Sequence, residues 1–323
     1  MGGNEVILPS GARAATFGGL MWLILLVGSV LNTFRLSIFD LLFLLAPWVV
    51  VPLTLGLVPA INASPIASAC CRTVRYLLLP GAALATLSFF LREDRIAGAF
   101  TWLWLAVAAA LAVDGLDRLI RTRLQSFQEF CFGIGEGYAL VGALWLLASR
   151  LGLQPVGFHE PIVLLTAVHF HYAGLMAAVL AGLAASENGA ARAPLALRIA
   201  LTCAVLGPGL LGLAFLAGPK LKLAAVGLML IGEFGIAVGT LRIGWTSAKE
   251  IGGRLLLVGS ACVIAGMMLA AVWAVGEYPL HAFVNLEQMA RYHGVLSSVG
   301  FGLCSLMGWT LLRRKAEQAM VRT

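Results

Sequence analysis

The residues able to do chemistry are few, and they sit in unusual surroundings. His169 and His171 stand two positions apart in LTAVHFHYAGLMAAVLAG (165–182), an otherwise apolar run that also holds Tyr172. Glu136 lies in another apolar run, inside GIGEGY, flanked by Gly133, Gly135 and Gly137. His159-Glu160-Pro161 precedes the histidine run, and Glu277, His281, Asn285, Glu287, Arg291, Tyr292 and His293 occupy one late connection and the start of the run after it. A carboxyl and an imidazole held near each other can pass a proton to and from a bound molecule. The set therefore suits acid–base work: Glu136 as donor, His169 or His293 as base or orienting group, Glu160 and Tyr172 as further polar members. The same groups would serve a transporter as a proton relay.

Spacing separates the two histidines. On a regular helix, residues two apart point about 200° from each other, so one cavity receives at most one of them. His169 shares a stripe with Thr166 and Tyr172 and is expected to be the functional histidine. His171 shares a face with Ala167, Val168, Leu175 and Ala178, which suits one interhelical hydrogen bond and a structural role. A metal clamp prefers ligands at i and i+4 or from separate helices. The six cysteines are scattered without a CxxC pair. Neither a metal nor another cofactor is expected. Cys70-Cys71, at a helix start, offers a palmitoylation site or simply two small residues. Gly207-Pro208-Gly209 is either a kink or a broken helix of the kind transporters place at substrate sites.

The elements that position these residues follow from composition. Of 323 residues, 60% are hydrophobic and 11% charged, against roughly 25% charged in soluble domains. The fold class is all-α: a polytopic transmembrane helix bundle forming one domain over residues 1–323. Apolar runs of about 20 residues give ten spans, near 14–34, 38–59, 74–91, 97–117, 129–149, 161–185, 196–217, 222–241, 254–275 and 292–312. With ten spans, fifteen of the 22 Lys and Arg residues fall on one side, so both termini are expected to be cytoplasmic. The basic residues cluster between apolar runs, which excludes a nucleic-acid-binding stripe. No basic start followed by a short apolar run and small-residue cleavage site is present, so the first span is expected to be retained.

These spans set the depth of the polar groups. Glu136 falls about 10 Å from the inner boundary, His169 about 12 Å and His171 about 15 Å below the outer one. Glu233 falls near the middle of the eighth span. A centrally placed charge costs about 2.5–3.5 kcal/mol on insertion scales, so Glu136, read as unpaired, is expected to hold a proton. Its glycines let a backbone or ligand approach closely. All five histidines fall on the external side or mid-membrane, so a Glu/His pocket toward the external half is expected.

LLFLLAPWVVVPLTLGL, PVGFHEPIVLLTAVHFHYAGLMAAVLAGL and RYHGVLSSVGFGLCSLMGW resemble the bacterial YndJ-like membrane proteins, HFHYAG and YHG most specifically. The resemblance runs from about residue 38 to 312. It implies a multi-pass protein of the inner membrane; some relatives extend further at the C-terminus, and some carry a transporter label. Two functions are considered, and the first is preferred because the polar groups concentrate toward one face, like a pocket. One is an integral-membrane enzyme performing cyclisation, isomerisation or epoxide opening on a lipophilic small molecule. The other is a transporter for a small molecule, favoured by Glu233, Asp114 and the Gly-Pro-Gly step. The topology is checked with a reporter that is active only after export. Fused at the C-terminus it should be silent, and inserted near Arg92 it should be active; activity at the C-terminus refutes the ten-span orientation.

Overall fold

The computed structural model describes residues 11–59, 64–187, 194–277 and 285–322, and these are helices and short connections with no strand among them. They form two compact units. The first comprises residues 1–124 with 136–171, the second residues 125–135 with 172–323.

The first unit is built around one buried rod, α2 (Ile38–Leu45), a wide π-helical turn (Ala46–Val50) and α3 (Val51–Leu57). Ser37 starts it with a capping box: its hydroxyl accepts from Asp40 N while Asp40 Oδ2 accepts from Ser37 N at 2.7 Å. Pro47 and Pro52 each lack an N–H; Pro47 lies near the start of the wide turn and Pro52 two residues past its end. Phe43, Leu44, Val50 and Val51 are fully buried. α1 (Gly11–Val30) lies on this rod and leaves Leu20, Leu23, Ile24 and Val27 on the outside. The contact requires Gly18, because a Cβ there would stand 1.7 Å from the Trp48 carbonyl oxygen. Trp22 Nε1 donates to Leu41 O at 2.8 Å, and Trp48 Nε1 donates to Thr86 Oγ1 at 2.8 Å on α4 (Pro65–Ser88).

α4 begins nine residues before the expected span at 74, because Ser64 caps it by accepting from Ala67 N and Pro65 fits the first helical position. It packs on α6 (Trp102–Thr122), reached through short α5 (Arg95–Ala99), which Asp94 caps. α7 (Phe127–Arg150) and α8 (Ile162–His169) follow. At the α4–α5 end Arg150 donates to Glu93 at 2.6 Å and lies 4.6 Å over the Phe89 ring.

The second unit resumes at Tyr172, within a π-helical stretch (Phe170–Met176), and continues into α9 (Ala177–Glu187), which is buried up to Ala185. α10 (Leu195–Ala217), α11 (Pro219–Thr246) and α12 (Ile251–Glu277) pack in sequence. Gly218, at φ 104°, turns the chain between α10 and α11, and Gly232 lies against the Ala204 backbone. α13 (Leu286–Val295), a π-helical stretch (Leu296–Leu303) and α14 (Cys304–Arg322) close the unit against α12. α10 runs unbroken through Gly207-Pro208-Gly209, so the broken-helix alternative does not hold there. Gly207 instead abuts the Met229 side chain.

Among the described residues, eight helical rods are long and apolar enough to cross a membrane. The other two expected spans coincide with α4 and α6. Arg72 and Arg75 dilute the first, and Asp114, Asp117, Arg118 and Arg121 load the second. Gly18→Val should cost about 1–3 kcal/mol through overpacking and lower the melting temperature of the detergent-purified protein. Gly19→Ala, which meets open space, should leave it unchanged or raised; equal melting of the two variants refutes the contact.

Candidate functional site

α6 and α7 bring together the charges that sequence spacing leaves apart. Arg118 Nε lies 3.6 Å from Glu136 Oε2, and Arg118 Nη2 lies 3.5 Å from Asp114 Oδ2 one turn earlier. The three side chains are 5%, 2% and 13% exposed. Both terminal guanidinium nitrogens also donate to Pro59 O at 3.3 Å, past the end of α3. Glu136 therefore is not the unpaired carboxyl expected from its depth: a guanidinium stands beside it. A neighbouring pair holds the helix ends together, with Arg121 Nε donating to Asp117 Oδ2 at 2.8 Å and Ser64 Oγ to the same oxygen at 2.8 Å.

The cluster faces a cavity of about 70 Å³, lined also by Pro59, Cys70 and Cys71. That holds on the order of five waters. It is well below the roughly 300–1,000 Å³ of pockets that enclose a drug-sized ligand. The cavity lies where α3 ends, α4 begins and α6 nears its last turn. Glu160 belongs to the opposite end of the unit, so the expected gathering of both acids toward the external half is not what the fold builds.

Each remaining candidate has its own setting. Glu160 is exposed, and its Oε2 accepts from Leu164 N at 3.2 Å, serving the first turn of α8. His169 ends α8 half-buried, edge-on to Phe170 at 5.6 Å between centroids. Tyr172 and His293 belong to the second unit. Tyr172 is buried, and His293 Nδ1 donates to Gly266 O at 2.9 Å. A carbonyl only accepts, so Nδ1 carries a proton. Glu233, also in the second unit, is 4% exposed, and its Oε2 has no hydrogen-bond partner among the described residues. His281 lies outside the described residues.

His171 is fully buried and doubly bonded. Trp104 Nε1 donates to its Nε2 at 3.2 Å, and its Nδ1 donates to Ala167 O at 2.8 Å. Indole only donates and a carbonyl only accepts, so these partners define a neutral ring protonated at Nδ1. Trp104 stacks on it at 5.8 Å and Phe43 meets it edge-on at 5.4 Å. Gly142 makes room, since a Cβ there would stand 2.5 Å from Nδ1. The wide turn starts at Phe170 without Gly or Pro in Phe170-His171-Tyr172, so the regular-helix geometry assumed for this triplet ends at His169. Among the glycines around Glu136, Gly135 packs against the Leu175 carbonyl within the second unit, and Gly137 faces open space.

Arg118 and Trp104 were not among the expected site residues. The i,i+4 pairs Asp114–Arg118 and Asp117–Arg121 were the readable signal for the first; nothing in sequence points to the second.

Long apolar helical rods with Leu, Ile and Val on their outer faces define a multi-pass membrane protein. The chain belongs to the YndJ-like family, whose model matches residues 41–301. It is similar to the uncharacterized membrane protein YndJ of Bacillus subtilis (strain 168), with 25% identity over 217 residues. The match covers 66% of this chain and 38% of that protein, so the chain spans well under half of the relative's length. No solved structure matches.

His171→Ala should lower the yield of folded protein and its melting temperature, because the buried Trp104 N–H alone loses about 1–3 kcal/mol when left unpaired. His169→Ala should leave both unchanged. The reverse pattern, read by size-exclusion profile and melting in detergent, refutes this division of roles.

Proposed function

We propose that the protein is an inner-membrane transporter of a small solute, coupled to protons, in which Asp114, Arg118 and Glu136 form the coupling site. The observation that carries this reading is the cluster itself. Two acids and one base share a buried cavity of about 70 Å³. With all three ionised the cluster holds one surplus negative charge, which a proton or small cation completes. Charges buried inside a membrane bundle mark ion pathways and relays by default, because each is costly to place. Glu233 supports the reading as another buried acid, in the second unit. The alternative of acid–base catalysis on a lipophilic molecule asks Glu136 to face a cavity of substrate size, and its cavity of about 70 Å³ suits a few waters or a small ion instead.

Binding and release would work through the ion pair. Proton uptake by either acid leaves Arg118 balanced by the other, and loss of that proton restores the surplus charge. Solute movement is coupled if the two charge states favour different arrangements of the helices around the cavity. The test uses purified protein in liposomes that enclose a pH-sensitive dye. A panel of small amines and carboxylates is supplied outside under an inward proton gradient. At least one solute should drive acidification through the wild type, and Glu136→Gln should reduce it to the level of protein-free liposomes while folding normally. Solute-driven flux undiminished in Glu136→Gln, or none with any solute, refutes the assignment.

A further inference from the structure

We propose that the first unit carries a binding site for an acidic phospholipid, in a groove between α1, α3 and α4. The groove has a volume of about 230 Å³ and walls that include Phe17, Pro52, Leu78 and Leu79. Two guanidiniums line it, Arg13 in the first turn of α1 and Arg75 in the third turn of α4. Both are exposed, no acidic residue lines the groove, and neither arginine has an ion-pair partner among the described residues. Elsewhere in this unit the buried arginines Arg118 and Arg150 are each paired with acids. A positive pair left without counter-charge on an apolar wall is complementary to an amphiphile with an anionic head and a hydrocarbon tail.

An acidic phospholipid supplies both parts. Its phosphate accepts from the two guanidinium forks, which match phosphate geometry, and its upper acyl chain covers Phe17 and Leu79. A soluble anion would leave the apolar wall uncovered, and a zwitterionic lipid would return part of the charge to the site. The groove lies beside the start of α1 and the end of α3, against the third and fourth turns of α4. The Lys and Arg distribution assigns that end to the cytoplasm, the side whose leaflet presents acidic lipids. Its head is firm, because Gly11 packs backbone to backbone on Pro52 and Gly56. Leu55 and Val74 line both this groove and the cavity at Glu136, so a single layer of side chains separates them. Lipid binding stands or falls independently of proton coupling.

Detergent-purified protein is offered equal amounts of phosphatidylglycerol and phosphatidylcholine, and the lipid retained is counted by native mass spectrometry. Phosphatidylglycerol should be retained preferentially. At about 1 kcal/mol for each basic residue near a membrane surface, Arg13→Ala or Arg75→Ala should weaken retention about fivefold, and the double variant about 25-fold. Arg72→Ala, an exposed arginine on α4 outside the groove, should change nothing. Leu79→Trp should displace the lipid by filling the groove with both charges intact, at unchanged melting temperature; Arg13→Ala decides the matter should that variant fail to fold. Equal retention of the two lipids, or a loss in Arg72→Ala matching those in Arg13→Ala and Arg75→Ala, overturns the site. Displacement by excess glycerol phosphate would show that the head group alone is recognised and would also overturn it.

Discussion

Arg118 is the constraint on which the first unit depends. A guanidinium on a membrane helix is tolerated only where acids and carbonyls surround it. Here Asp114, Glu136 and the Pro59 carbonyl do so from α6, α7 and the end of α3. That requirement brings three segments of the chain to one point. Breaking a buried pair by removing one member typically costs about 3–5 kcal/mol, because the survivor stays buried and charged. The arrangement is therefore rigid toward loss of a partner and responsive to a proton, which changes the charge without removing an atom. Ser64, Asp117 and Arg121 reinforce the same helix ends from the outside, and Arg150 with Glu93 does so at the opposite end.

The helices are irregular where polar groups must be accommodated. π-helical turns occupy Ala46–Val50, Phe170–Met176 and Leu296–Leu303. Such turns are uncommon and concentrate at functional positions, because they widen the ladder and redirect side chains. The first contains Pro47 and is followed by Pro52. The second begins one residue before His171 and the third three residues after His293. Yet His171 is fully satisfied by Trp104 and Ala167, so a wide turn beside a histidine also serves packing. In the second unit His293 keeps one ring nitrogen beyond its bond to Gly266, which leaves it chemically more versatile than His171.

The legible part of the sequence was what the bilayer dictates. Long apolar runs located the rods, and family motifs such as HFHYAG marked the kinship. The opposed directions expected for His169 and His171 rested on a regular helix, and that helix ends at His169. What escaped was pairing across helices. Arg118 fell one residue past the expected span end at 117 and was read as a loop charge, although Asp114 four residues earlier signalled a shared helix face. Trp104 looked like any aromatic of an apolar run, because hydropathy does not register an indole N–H aimed at an imidazole. Glu160 looked chemically free because its bond to Leu164 N depends on where α8 starts. The wide turn at Phe170 left no mark, since neither Gly nor Pro accompanies it.

Cavity size and charge together decide what chemistry suits Glu136. A carboxyl that donates a proton to a lipophilic substrate is best kept apart from cations, in an apolar pocket large enough for the substrate. Glu136 has the contrary setting, with a guanidinium 3.6 Å away and room for on the order of five waters. The large apolar recess of this unit lies instead beyond Leu55 and Val74, beside arginines and without an acid. The charged cluster and the apolar groove are thus adjacent and kept separate by two side chains. A membrane enzyme would need them merged into one chamber. A carrier of the proposed kind would benefit from the separation, because its charged cluster could take up water and protons apart from a lipid held in the groove.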